Sequence, residues 1–155
     1  MARRVVIGSD HGGFEMKNQL VQFMRQDGID VVDVGCPSTA PVDYPVIAQQ
    51  TCAELLDHSK NFDLGVVVCG TGIGISIAAN KVPGIRCALC HDITTARLCR
   101  EHNNANVLAL GGRTTGPDTA KEILSTFLKT AFSGAERHQR RVDMLGTAVP
   151  VSSCH

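Results

Sequence analysis

Asp63-Leu64-Gly65-Val66-Val67-Val68-Cys69 runs straight into Gly70-Thr71-Gly72-Ile73-Gly74. The first seven residues form a nearly continuous apolar run, the mark of a strand covered on both faces. Glycines end it, and an Ile/Ala-rich helix follows to about Lys81. A doubly covered strand, a glycine turn and a helix make one unit of a parallel α/β sheet. The alternation extends in both directions. Upstream, residues 4–8 read as a strand, Ser9-Asp10-His11-Gly12-Gly13 breaks it, and Met16, Leu20, Phe23 and Met24 recur at helical spacing before Gly28. Residues 30–34 give a second strand, 36–44 a loop, and Pro45 opens a helix with Ile47, Cys52, Leu55 and Leu56 on one face. Downstream, residues 85–90 read as a strand and 92–103 as a helix capped by Asp92. Residues 107–110 form the fifth strand, and Pro117 opens a helix faced by Ile123, Leu124, Phe127, Leu128 and Ala131. Residues 135–145 form a last, polar helix.

Five strand–helix alternations predict an α/β fold: a three-layer Rossmann-like sandwich around a five-stranded parallel sheet. Residues 1–145 are expected to form one domain, and 146–155, which show no periodicity, a frayed tail. The chain has 155 residues, 43% hydrophobic and 19% charged, within the globular range, which excludes a disordered chain, a collagen or a coiled coil. Fifteen basic residues cancel fifteen acidic ones, which argues against a nucleic-acid partner. Apolar runs are too short to span a membrane. Met1-Ala2-Arg3-Arg4 leads directly into a strand, so no secretory signal is read, and a cytoplasmic location is expected. The seven cysteines (Cys36, Cys52, Cys69, Cys87, Cys90, Cys99 and Cys154) are scattered and odd in number, which fits free thiols in a reducing compartment. Cys87-Ala88-Leu89-Cys90-His91 has the spacing of a covalent haem site, but it lies inside a strand. No second Cys pair completes a zinc site, and no metal or other cofactor is expected.

Right-handed crossovers place all five strand C-termini on one edge, where ligands bind in such sheets. Asp10 and His11 follow strand one, Cys69 and the glycine loop strand three, His91 and Asp92 strand four, and Gly111-Gly112-Arg113 strand five. The Gly70–Gly74 loop is not a dinucleotide fingerprint, since Ile75 stands where the third glycine belongs, and it lacks the lysine of a P-loop. It reads either as an amide nest for an anion or as a tight strand–helix turn. Cys69 is either a reactive thiol at a helix N-terminus or a buried apolar one. His102, ending its helix with Asn103, either compensates the helix dipole or serves as a general acid near the same edge. Arg137, Arg140 and Arg141 form either a solvated basic face or a phosphate clamp.

Gly8-Ser9-Asp10-His11-Gly12-Gly13, Asp43-Tyr44-Pro45, Cys69-Gly70-Thr71-Gly72-Ile73-Gly74, Ala78-Ala79-Asn80-Lys81, His102-Asn103, Asn106, Gly111-Gly112-Arg113 and Arg137-His138-x-x-Arg141 occur in this order. In this the chain resembles type B ribose-5-phosphate isomerases, in the sugar-phosphate isomerase family that includes galactose-6-phosphate isomerase. The resemblance spans about residues 4–145. It implies strand order 2-1-3-5-4, a homodimer (or tetramer) with sites at the subunit interface, and metal-free interconversion of ribose 5-phosphate and ribulose 5-phosphate through a cis-enediolate. It implies Cys69 as the base, supported by Thr71, with amides of Gly70, Gly72 and Gly74 on the enediolate oxygen. His102 opens the furanose, Asp10, Tyr44 and Asn103 surround the sugar, and His11, Arg113, Arg137 and Arg141 bind phosphate. A branch of the family replaces the cysteine by a glutamate in the glycine-loop helix; Ile73-Gly74-Ile75-Ser76 carries no carboxylate, which places this chain in the cysteine branch.

Three other readings stay in view. A six-carbon aldose 6-phosphate would use nearly the same residues. A non-catalytic phosphosugar or nucleotide sensor would not need both Cys69 and His102. A thiol redox protein would place Cys87-x-x-Cys90 at the start of a helix, which this chain does not. The last helix is so polar that it is expected to leave its own domain and cap the partner's site across a two-fold axis.

Overall fold

The computed structural model describes residues 1–146; residues 147–155, which hold most of the tail expected to fray, lie outside the described residues. Five parallel strands are present: β1 (Arg4–Ser9), β2 (Asp30–Asp33), β3 (Leu64–Cys69), β4 (Cys87–Leu89) and β5 (Val107–Gly111). Six helices accompany them: α1 (Phe14–Gln26), α2 (Tyr44–Leu56), α3 (Ile73–Asn80), α4 (Ile93–Asn103), α5 (Pro117–Lys129) and α6 (Glu136–Leu145). The sheet order is β2-β1-β3-β5-β4, with β3 between β1 and β5.

Alternation along the strands divides the core. Val5, Ile7, Val66, Val68, Leu108 and Leu110 meet Leu20 and Met24 of α1 and Ile123, Leu124 and Phe127 of α5. Val6, Val67, Cys69, Val107 and Ala109 meet Ile47 and Cys52 of α2 and Ile75 and Ala79 of α3. All six residues of β3 are buried, as the apolar run predicts for a strand covered twice. The expected turn and cap chemistry is also present: Pro45 lies in the first turn of α2, and Asp92 accepts a hydrogen bond from the Thr95 amide at the start of α4.

The fourth strand is shorter than the six residues its apolar pattern predicts. Two asparagines take over its backbone. Asn80 accepts from the Cys87 amide at 2.8 Å and donates to the Cys87 carbonyl at 2.9 Å. Asn106 accepts from the Arg86 amide at 2.7 Å and donates to the Gly84 carbonyl at 2.8 Å. Asn106 thereby takes the Gly84 carbonyl and the Arg86 amide, while the Arg86 carbonyl still accepts backbone amides of Asn106 and Val107. The last helix departs from expectation more sharply. It packs on its own domain, against α4, with His138 and Val142 buried; its polarity belongs to its other faces.

Lys17 of α1 is among the largest fully buried side chains of the described residues. Its ammonium donates to both Asp33 oxygens, at 3.0 and 2.9 Å, and to the Cys36 carbonyl at 2.7 Å. A buried ammonium is tolerated because its three donors are all used. The pair ties α1 to the turn after β2, whose Gly35 and Cys36 exchange two hydrogen bonds of 2.7 Å with Ser9 at the end of β1. Asp33→Ala strands this charge with one acceptor and should cost about 3 kcal/mol, read from the urea midpoint. A cost below about 1 kcal/mol would show that Lys17 escapes to water.

Candidate active site

The loops at the C-terminal edge converge on the end of β3. Asp10 N–H donates to the Val68 carbonyl at 3.1 Å, Gly112 N–H to the Cys69 carbonyl at 2.8 Å, and Arg113 N–H to the Gly70 carbonyl at 2.8 Å. Three consecutive acceptors thus hold the loops after β1 and β5 against the loop after β3. This lies where the chain turns one way from β1 to β2 and the other way from β3 to β5, the switch point that favours ligand binding.

Cys69 is 4% exposed, and Gly72 N–H donates to its Sγ at 3.1 Å. That amide and the first turn of α3 surround the sulfur with positive partial charge. The geometry requires glycine at 72: φ is +77°, and a Cβ there would lie 2.5 Å from Leu89 and 2.9 Å from the Leu110 backbone. The amide nest is partly occupied by the loop itself, since Gly72 N–H serves Cys69 and Ile73 N–H donates to Thr71 Oγ1 at 3.2 Å.

The other expected residues of this edge stand around the loop. Asp10, buried, accepts from Gly13 N–H at 3.1 Å. His11 Nδ1 accepts from Val42 N–H at 3.2 Å, which leaves a ring proton on Nε2. Tyr44 opens α2 with its ring laid over Gly74, where a Cβ would come 2.6 Å from Cζ. The Arg113 guanidinium lies over Gly70, where a Cβ would stand 3.1 Å from Nη1.

His102, Asn103, Arg137 and Arg141 are not part of this cluster, and here the expectation for His102 is corrected. A crossover helix runs antiparallel to its strands, so the last turn of α4 lies at the N-terminal edge of the sheet. Arg86, just before β4, donates from Nε to the carbonyls of Asn103 and Asn104 at 3.1 and 3.0 Å. The five residues of β5 alone separate the edges by roughly 16 Å. His102 instead meets α6, with ring centroids of His102 and His138 4.4 Å apart. His138 Nδ1 and Ser133 Oγ are 2.7 Å apart, and Ser133 N–H donates to the Glu101 carbonyl at 3.1 Å. Arg137 and Arg141 flank His138 in sequence and are exposed. The expected site residues therefore fall into two groups at opposite edges of the sheet. His91 is exposed and takes no part in either.

Sequence reasoning passed over His138 and Ser133 as site components. The signal was a single histidine four residues before Val142, the two residues of α6 that are buried. Among the described residues, no group of three or more His, Cys, Asp and Glu side chains could hold a metal ion, and no helix is long and apolar enough to cross a membrane.

Burial, then Arg137, His102 and Arg141, disfavour a proton on His138, against a pull from Glu101, so it titrates below the ordinary 6.5. The unfolded chain binds that proton more readily. Stability should therefore fall as pH drops through about 6.5 and below, and fall less in His138→Asn. Urea midpoints between about pH 7.5 and 5.5 measure this, and equal slopes for the two proteins would refute it.

Residues 5–145 match the ribose/galactose isomerase family model. The ribose-5-phosphate isomerase B of Escherichia coli is 41% identical over 143 residues, 92% of this chain and 94% of that one. The solved structure of Clostridium thermocellum ribose-5-phosphate isomerase B is 47% identical, with a TM-score of 0.88 over 92% of this chain and 95% of that one. The type B ribose 5-phosphate isomerase of Trypanosoma brucei is 46% identical, with a TM-score of 0.88 over 94% and 98% of the two chains. With the β3 cysteine, the glycine turn and the sheet order in place, the chain belongs to the ribose/galactose isomerase family.

Proposed function

We propose that this chain interconverts ribose 5-phosphate and ribulose 5-phosphate, an aldose–ketose isomerisation, in the cytoplasm, as a homodimer whose sites each join the two half-sites of different copies. The observation that carries this reading is the separation of Cys69 from His102 and the α6 arginines within one chain. A partner related by a two-fold axis can bring the second half-site of one copy to the first half-site of the other, twice over. The apolar surface around the cysteine loop supports such an interface: Val46, Ile73 and Ile77 are 47%, 53% and 56% exposed beside Tyr44.

In this reading Cys69, as thiolate, takes the proton from C2 of the open-chain aldose and returns it to C1. The enediolate between these steps carries negative charge on oxygen, stabilised by amides of the Gly70–Gly74 loop, with Thr71 supporting the transfer. His102 of the partner subunit opens the furanose, and Asp10 and Tyr44 of one copy with Asn103 of the other surround the sugar. His11 and Arg113 of one copy, with Arg137 and Arg141 of the other, hold the phosphate dianion and fix the reacting carbons over the thiolate. Ribose-5-phosphate isomerases recur among both the curated and the solved relatives, which favours the five-carbon sugar over a six-carbon one. A coupled assay with ribose 5-phosphate and with six-carbon aldose 6-phosphates decides the substrate directly.

Cys69→Ala should lower turnover by about 100-fold or more while the urea midpoint stays near wild type; more than about a tenth of the activity remaining would remove Cys69 from the role of base. Mixing Cys69→Ala with His102→Ala tests the split site. Each parent should be nearly inactive, yet random re-pairing should restore about a quarter of wild-type activity, because half the dimers carry one intact site. No recovery, with exchange confirmed by mass spectrometry, would place both residues in one chain's site.

A further inference from the structure

Two thiols that the isomerisation does not use lie in contact. Cys90 follows β4, Cys99 lies on α4, and their Sγ atoms are 3.9 Å apart. Both belong to the core cluster beneath α1 and α5, together with Ala96. A disulfide needs an S–S distance of about 2.05 Å, so the sulfurs must approach by roughly 1.9 Å. One member of the pair is open to small solutes, while Cys90 is only 1% exposed. Cys99 is 8% exposed, and with Cys87 and Asn103 it lines a cavity of about 620 Å³ between the start of β4, the end of α4 and α6.

We propose that Cys90 and Cys99 form a thiol–disulfide site, oxidised by a small hydroperoxide entering this cavity, and that the crosslink slows turnover by displacing the last turn of α4. One thiolate attacks the distal peroxide oxygen, giving a sulfenic acid and an alcohol. The second thiol then attacks that sulfur and expels water. Two S–H bonds are lost, one S–S bond forms, and the hydroperoxide accepts two electrons and two protons as it becomes alcohol and water. The surroundings divide the roles. Hydrogen bonding from Cys99, then from Thr95, holds the Cys90 thiol below its ordinary range against burial and Asp92. The bond to Cys90 and burial push the Cys99 thiol up. Cys90 thus gives up its proton more readily than Cys99, and it is the thiolate that attacks in thiol–disulfide chemistry.

The reach to function is one helical turn. Cys99 precedes His102 by three residues and Asn103 by four, so drawing Cys99 toward the sheet moves both against His138 and Arg86. This effect on turnover rests on the placement of His102 in the isomerase site; the crosslink does not.

The full chain is treated with tert-butyl hydroperoxide, alkylated and mapped by peptide mass spectrometry. Mapping uses Cys69→Ala, which removes the other reactive thiol from the competition; activity is followed in wild type, Cys99→Ala and Cys90→Ala. The expected result is a Cys90–Cys99 disulfide peptide two hydrogens lighter than its parts. Wild type should lose roughly tenfold in activity, recovered with dithiothreitol, and both alanine variants should lose markedly less at the same dose. Absence of the crosslinked peptide while Cys69 of the wild type is oxidised would overturn the site. A crosslink with parallel losses in wild type and both variants would overturn its effect on turnover. Full activity of untreated Cys69→Ala would instead count against the isomerase assignment and leave the mapping result standing.

Discussion

Three successive carbonyls at the end of β3, those of Val68, Cys69 and Gly70, carry the candidate site. Each accepts an amide from a different point in the chain: Asp10, Gly112 and Arg113. The acceptors are rigid because β3 is paired on both edges and covered on both faces. Asp10 and Arg113 are 103 residues apart in sequence, yet each is one hydrogen bond from the same short stretch of backbone. The thiol sits inside this clamp. Its position relative to Asp10 and Arg113 is therefore set by a strand that is buried throughout and paired on both edges.

The two edges of the sheet divide the chemistry. The C-terminal edge carries a thiol, amide donors, His11 and Arg113. The N-terminal edge supplies a histidine pair and exposed arginines. In the proposed reading, neither half alone both opens a sugar ring and isomerises it. A site built across copies makes activity depend on assembly, and a monomer would hold all the residues and none of the complete geometry.

What the sequence made legible follows from how local each cause is. β3, the glycine turn and α3 were readable because burial on two faces and a left-handed turn at Gly72 are dictated by neighbouring residues. The Asp92 cap and the Pro45 helix start are local in the same way. The length of β4 was not readable, since Asn80 and Asn106 take over its backbone from 7 and 20 residues away. The tie between Lys17 and Asp33 spans 16 residues and leaves no periodic trace. His102 was readable as a helix end but was assigned to the wrong edge; only the antiparallel return of α4 along the sheet decides that. α6 misled through its composition, because two buried residues suffice to dock a helix of ten.

The asparagine that shortens β4 also bears on how copies of the chain can meet. β4 is an edge strand, and an open edge invites another strand to add to it. Asn80 occupies both the amide and the carbonyl that Cys87 turns outward, which leaves too few free groups for a foreign strand to register. At the opposite edge β2 is only four residues long, and a short edge strand offers little template for the same addition. With the β4 edge occupied and β2 short, the described residues offer little template for a continuous intermolecular sheet, and association is left to the helical faces, where Ile73 and Ile77 stand exposed.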